Sequence, residues 1–348
     1  MRRAAVPLAA VLVLVLAAGC GGHRPAPLPR PMFSLGTAPV VGVDMYALRN
    51  FPPAVVRADG TRMLAYIKNV LKADAVGIVW DFYVTSRYSD AVRTTGATLS
   101  ARNVTILTEI AERDHLRVEY RPLIFIMTTG RANPWEGLIT PSDPASWFAS
   151  YYQAELPYLR AAQRLRVGEF VTATEMHDLN GSTLWPSFFA RVSRIYHGVV
   201  SYTAWNQDYF YSTQPLLPVQ DLGMDMYHSL NLPATATTAQ VTAAWEQFFG
   251  NVSTAVLHRT AIDETGISAR AGAYEYPPNM WTDGTLDEGV QANWFIAACR
   301  TVRLYGLRGV FFWKVDLTDN PAHPASSLST FEGKEGAIAI SKCAEILK

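Results

Sequence analysis

Gly168 to Met176 reads GEFVTATEM, a short apolar stretch with one acid near its end. Phe170, Thr172 and Thr174 alternate with Val171, Ala173 and Glu175. A strand sends successive side chains to opposite faces, so Glu175 shares a face with the small Val171 and Ala173. Small residues suit the crowded interior of an eight-stranded barrel, and a carboxylate at the strand's end then points into the barrel mouth. In barrels of alternating strand and helix, catalytic groups sit at that carboxyl end. A second stretch, Thr260 to Gly266 or TAIDETG, places Glu264 in the same way. Asp263, its neighbour, is expected on the opposite face in a structural role.

Working outward, the chain alternates apolar strands with amphipathic helices from Pro39 onward. Strands are expected at Val40 to Met45, Ala75 to Phe82, Arg117 to Met127, around Glu175, Val199 to Trp205, Leu222 to Tyr227, up to Glu264, and Leu307 to Asp316. Between them, Met63, Leu64, Ile67, Val70 and Leu71 recur with a helical period. Further helices are expected over Ala101 to Leu116, Asp143 to about Arg166, Trp185 to His197, Thr238 to Phe249 and Asp287 to Tyr305, with a last one around Ser341 to Leu347. Pro144 just after Asp143 suits a first helical position. Eight strands alternating with helices predict an α/β chain folded as a single (β/α)8 TIM barrel over 39–348. A doubly wound open sheet is the runner-up. Such a sheet normally carries a glycine-rich phosphate turn after its first strand, and VDMYALRN there has none.

The 348 residues carry a formal net charge of zero, which argues against nucleic acid as a partner. Arg2 and Arg3 precede an apolar run from Ala4 to Ala18, then Gly19 and Cys20. This run is short for a membrane span and reads as a signal peptide over 1–20. Cys20 after Ala17-Ala18-Gly19 resembles a bacterial lipoprotein cleavage site, with the cysteine as lipidation point, and a plain secretory signal is the alternative. The chain is therefore expected to be exported and held at the membrane only through an N-terminal lipid. Residues 21–38 are proline-rich and read as an extended tether. Two further cysteines, Cys299 and Cys343, fall on the last two expected helices. One bridge is open to them, but two buried thiols are the expectation.

Two carboxyl groups across one bond are what glycoside hydrolysis requires, about 5–5.5 Å apart in retaining enzymes. Glutamates ending strands four and seven can face each other over one mouth. Glu175 is assigned as acid/base and Glu264 as nucleophile, with Tyr227 placed to orient Glu264. Trp313, near the end of the last strand, would floor the subsite that holds the sugar ring. Asp44 and Trp80, at the ends of the first two strands, are further candidates for substrate binding. Arg121 lies early on its strand and reads as structural, while His177 and His228 flank the expected mouth. The seven histidines show no HExxH or paired-ligand spacing, and neither a G-x-S-x-G elbow nor a Walker loop is present. No metal or cofactor is expected, and the enzyme is expected to act as a monomer.

These residues carry a resemblance to the clan of retaining (β/α)8 glycosidases with catalytic glutamates on strands four and seven. Within it the chain most resembles glycoside hydrolase family 113. The matching patterns are Trp135-Glu136-Gly137 followed by Trp147-Phe148, Thr174-Glu175, Ser201 to Asn206 (SYTAWN), Asp221 to Tyr227 (DLGMDMY), Glu264-Thr265-Gly266 and Gly309 to Trp313. The resemblance implies Glu175 as acid/base, Glu264 as nucleophile, and substrate contacts by Trp135, Trp205, Asn206, Tyr227 and Trp313. It implies β-mannan or related oligo- or polysaccharides as substrate. Thr174 stands where most of the clan carries asparagine, and Asp263 stands where threonine is usual. Ile126-Met127 replaces an expected Pro-His pair. The residues beside the two glutamates, Thr174 and Asp263, fit a rival reading, a cell-surface carbohydrate-binding lipoprotein whose barrel has lost turnover.

Overall fold

The computed structural model describes residues 27–127, 135–206, 208, 217–250 and 252–348. Eight parallel strands close into a barrel in chain order. They are β1 (Val40–Tyr46), β2 (Ala75–Val84), β3 (Arg117–Ile126), β4 (Glu169–Thr174), β5 (Val199–Trp205), β6 (Asp221–Asp225), β7 (Thr260–Thr265) and β8 (Gly309–Asp316). Helices α1 (Pro53–Asn69), α2 (Ala101–Arg113), α3 (Pro144–Leu165) and α4 (Trp185–Val192) follow the first four strands. Next come α5 (Thr238–Phe249), α6 (Thr254–Leu257), α7 (Glu288–Tyr305) and α8 (Glu335–Ile346). No described helix is long and apolar enough to cross a membrane.

Local chemistry explains several boundaries. Asp143 accepts from the Ser146 amide and Pro144 opens α3, as its sequence implies. Thr237 and Gln240 form a reciprocal capping box on α5. Helix α1 begins at Pro53, well ahead of Met63, the first of the periodic apolar residues, because Pro52 and Pro53 supply a start that the apolar period alone does not reveal.

Pairing of β2 with β3 is unbroken from Ala75↔Arg117 to Val84↔Ile126. By contrast β3 and β4 pair only at Glu119↔Glu169 and Tyr120↔Phe170. Registers also shift in β4–β5 beyond Val171, in β6–β7 at Met224/Asp225 and in β7–β8 beyond Ile262. The irregularities on β4 and β7 fall just below Glu175 and Glu264, where bulges re-aim side chains.

Two expectations are corrected. Cys299 on α7 and Cys343 on α8 form a disulfide, because the two helices pack side by side and bring the Cα atoms to 5.5 Å, inside the bonding range. The proline-rich segment is no free tether over its described length. Arg117 donates to the Leu35 carbonyl at 2.8 Å, and Leu35 packs with Val40, Ala75 and Phe311 at the barrel floor. The signal run and Cys20 lie outside the described residues.

Candidate active site

Glu264 ends β7 with three donors converging on it. The Tyr227 hydroxyl donates to Oε1 at 2.5 Å and the Tyr46 hydroxyl to Oε2 at 2.8 Å. The Arg121 guanidinium lies 3.5 Å from the same Oε2. Arg121 is fully buried and also holds Asp225 Oδ1 and Oδ2 at 2.6 and 2.5 Å and the Asp263 carbonyl at 2.5 Å. Arg121 reads as structural in the sequence; in the fold its long side chain also crosses the interior to Asp225 on β6 and to the Asp263 carbonyl and Glu264 on β7. Hydrogen bonds and a cation favour the charged form of a carboxylate.

Glu175 follows β4 in a left-handed backbone conformation, φ +52°. Its amide donates to the Thr203 carbonyl at 2.8 Å, which fixes the turn. The Trp135 indole N–H donates to Oε2. Burial, with the charges of Asp225, Glu136 and Glu264 nearby, pushes the Glu175 carboxyl well above its ordinary range. The same forces, burial first and then Glu264 and Asp81, push Glu136 up to about 7.

A continuous run of aromatic contacts joins the two acids. Trp135, held on Glu175, lies 5.7 Å from the Trp205 ring, and Trp205 stacks on Tyr227 at 5.6 Å and 16°. Asn206 receives the Tyr227 amide on Oδ1 at 2.6 Å, so it braces the end of β6. Trp313 sits half-buried on β8 with Trp281 edge-on at 5.7 Å and Lys314 5.5 Å from its ring centre.

Asp44, Trp80 and His228 lie elsewhere. Asp44 is sealed in the barrel interior, one inward step below Tyr46, with both oxygens free of hydrogen-bond partners. Trp80 is also fully buried, stacked on Tyr158 of α3 at 4.6 Å in the layer between sheet and helices. Alternation along β2 turns Asp81 inward instead, 8% exposed, where burial raises its pKa to about 7 against the pull of Lys314. His228 packs among Trp245, Phe248 and Trp294, and burial lowers its pKa to about 3. His177 does reach the mouth, 5.8 Å from the Trp135 ring and 2.6 Å from Asp208.

Asp263 also departs from expectation. Simple alternation would send it outward, yet the bulge in β7 lets Asp263 and Glu264 both face the interior. Its Oδ2 accepts from Thr203 at 2.5 Å, beside Gly223, where any Cβ would strike it. Asp263, Glu119 and Glu169 bring oxygens within 4.8 Å of one another below the mouth. They are the residues that could hold a cation among those described. Burial raises all three, Asp263 to about 6.

The site thus presents two carboxyls in unequal surroundings, Glu264 under three polar partners and Glu175 raised by burial, joined by a row of indole and phenol rings. The family model for Glycoside Hydrolase Family 113 matches residues 58–332. The chain belongs to family 113. It is a glycoside hydrolase. Among solved structures, a GH113 β-1,4-mannanase complex superposes with TM-score 0.73 at 15% identity, covering 88% of this chain and 99% of that one. The GH113 β-mannanase AaManA from Alicyclobacillus acidocaldarius, in complex with ManMIm, gives TM-score 0.72 at 17% identity, covering 90% and 99%. GH5_18 from Streptomyces cattleya, in complex with GlcNAc, gives 0.55 at 12% identity, covering 90% and 81%. At these identities the likeness speaks for the barrel. No curated protein sequence matches the chain. Tyr46 and Arg121 are the residues that sequence reasoning missed in this family 113 site. An arginine inside an apolar strand was the available signal, because a buried charge demands a partner.

Proposed function

We propose that this family 113 hydrolase cleaves β-linked mannan or related oligosaccharides with retention, using Glu175 as acid/base and Glu264 as nucleophile. The observation that carries this reading is the unequal surroundings of the two carboxyls. Two tyrosine hydroxyls and the Arg121 guanidinium converge on Glu264. Burial and neighbouring carboxylates push the Glu175 carboxyl well above its ordinary range, which suits a proton donor. Environments that push two acids apart assign their roles.

In the first step Glu264 attacks the anomeric carbon while Glu175 gives its proton to the departing glycosidic oxygen. A covalent glycosyl-enzyme forms and the aglycone leaves. In the second, Glu175, now charged, takes a proton from water. That water attacks the same carbon and frees Glu264. Trp313 offers an apolar face for the sugar ring, and Trp135 and Trp205 line the route between the acids. The β-mannanase activity of the family 113 structures supports the choice of mannan.

The test is hydrolysis of manno-oligosaccharides and aryl β-mannosides by wild type, Glu175→Gln and Glu264→Gln. Turnover by wild type and its loss in both folded variants is expected. Binding without turnover in the wild type favours the rival binding protein instead.

We also infer that the protein is exported and anchored through a lipid on Cys20. The basic and apolar start of the chain supports this, and so does the Cys299–Cys343 disulfide, since such bonds persist in oxidising compartments. Mass spectrometry of the cell-associated protein should find a diacylglyceryl modification on an N-terminal Cys20. An intact leader would contradict the inference.

A further inference from the structure

The chain enters the barrel at the pole opposite the catalytic mouth. Gln220 Nε2 donates to the Pro29 carbonyl at 2.8 Å, and the Met32 amide donates to the His197 carbonyl at 2.7 Å. Phe33 stands edge-on to Tyr196 at 5.6 Å. A Cβ on Gly168 would strike Leu35 and Ser34, so this segment lies against the start of β4 as well. Arg117, Gly168, His197 and Gln220 all open or precede strands, so these contacts define the floor. Between Cys20 and Pro27 an extended chain spans at most about 25 Å. Anything holding Cys20 therefore keeps the floor close by.

The floor is also the basic pole. Helices of the outer layer end there, and their C-terminal turns favour cations. Arg30, Lys72, Arg113, Arg166, Arg194 and Arg303 are all exposed on it. Asp74 and Asp221 at this pole are neutralised by Arg117 and Arg308. Glu112, Asp114, Glu246 and Glu345 are acids there too, with Asp114 beside Arg113 at 3.8 Å, and they are outnumbered. The acids Asp81, Glu136, Glu175 and Glu264 gather at the other pole, around the mouth.

We propose that the barrel floor docks on an anionic lipid surface, so that the enzyme stands on the membrane floor-down with its mouth turned outward. Charge complementarity and the emergence point of the chain both select this partner. Basic residues near anionic headgroups are attracted over about one Debye length, and the attraction adds to whatever a lipid anchor supplies. Substrate polymer then reaches the mouth from the aqueous side without meeting the bilayer.

The experiment uses the chain from residue 21 onward, so that neither the leader nor a lipid contributes. All eight strands and the core lie beyond that point. Co-sedimentation is measured with vesicles of phosphatidylcholine alone and mixed with phosphatidylglycerol, at low and high salt. Binding to the mixed vesicles only, lost at high salt, is expected. Replacing Arg30, Arg113 and Arg194 by glutamate should lower it at least about tenfold while hydrolysis in solution is unchanged. Equal sedimentation with both vesicle types, or no effect of the charge reversals, overturns the proposal. Orientation is read separately, on vesicle-bound enzyme acting on a soluble polymer that it cleaves in solution. Retained turnover supports an outward mouth, and turnover abolished on the vesicle contradicts it.

Discussion

Tyr227 donates its hydroxyl to Glu264 Oε1 at 2.5 Å while its ring stacks on Trp205 at 5.6 Å. One side chain thus holds the candidate nucleophile and forms part of the cavity wall. Tyr46 holds the other oxygen from the opposite flank.

Removing either hydroxyl takes one hydrogen bond from the carboxylate that the proposed mechanism uses as nucleophile, and a bond to a charged acceptor is worth about 1.5–3 kcal/mol. Tyr227→Phe and Tyr46→Phe are each expected to lower kcat by roughly 10- to 100-fold with a smaller change in KM. Steady-state kinetics on an aryl glycoside checks this. A kcat at the wild-type level in both variants would mean that neither hydroxyl positions Glu264.

Trp135 donates to the carboxyl that the proposed mechanism uses as acid, and this bond pulls the Glu175 pKa down against burial. Trp135→Phe keeps an aromatic ring and deletes the donor. The alkaline limb of the pH–rate profile should move to higher pH, because activity requires protonated Glu175. A limb that stays fixed, or moves to lower pH, contradicts this.

Stability should depend on pH in an unusual direction. Burial raises Asp81, Glu136 and Glu332 to about 7 and Asp263 to about 6, above ordinary values of 3.8 to 4.5. Between those limits the folded chain holds more protons than the unfolded one, so stability falls as pH rises. His228 works the other way, with its pKa lowered from 6.5 to about 3, but it is one group against four. The thermal midpoint should be higher near pH 5 than near pH 7.5. Glu332→Gln should flatten the slope. A midpoint that climbs from pH 5 to 7.5 would show these carboxyls to be ionised in the fold.

The Cys299–Cys343 bond closes a loop of 44 residues. Cross-linking a loop of that length is worth about 4 kcal/mol in the chain-entropy account. Cys343→Ser is therefore expected to lower the thermal midpoint by several degrees, and reductant should do the same to wild type only. Equal midpoints with and without reductant would show that the bond contributes no stability.

The barrel was readable in the sequence because apolar strands recur in order, and GEFVTATEM led to a strand that ends just before Glu175. Strict alternation does not reach the end of β4, where the register shifts between Val171 and Thr174 and Glu175 turns off in a left-handed conformation. Alternation failed on β7, where a bulge lets consecutive Asp263 and Glu264 both point inward. It was available but unused on β2, where Val76, Ile78, Trp80 and Phe82 form the apolar outer face and leave Asp81 inside. The partners of Arg121 and Tyr46 were out of reach for another reason. Their side chains act across the barrel, and no local period reports which distant carboxylate a long side chain will meet. The disulfide is likewise a fact of helix packing, since 44 residues of sequence carry no measure of a 5.5 Å approach.

The central claim is that Glu264 becomes covalently bonded to the sugar. Incubation with an activated 2-deoxy-2-fluoro-β-mannoside, followed by intact mass measurement and peptide mapping, tests it directly. One glycosyl unit per chain, located on Glu264 and absent from Glu264→Gln, is the predicted result. A label on another residue, or inversion at the anomeric carbon of the first-formed product with no label at all, would contradict the account.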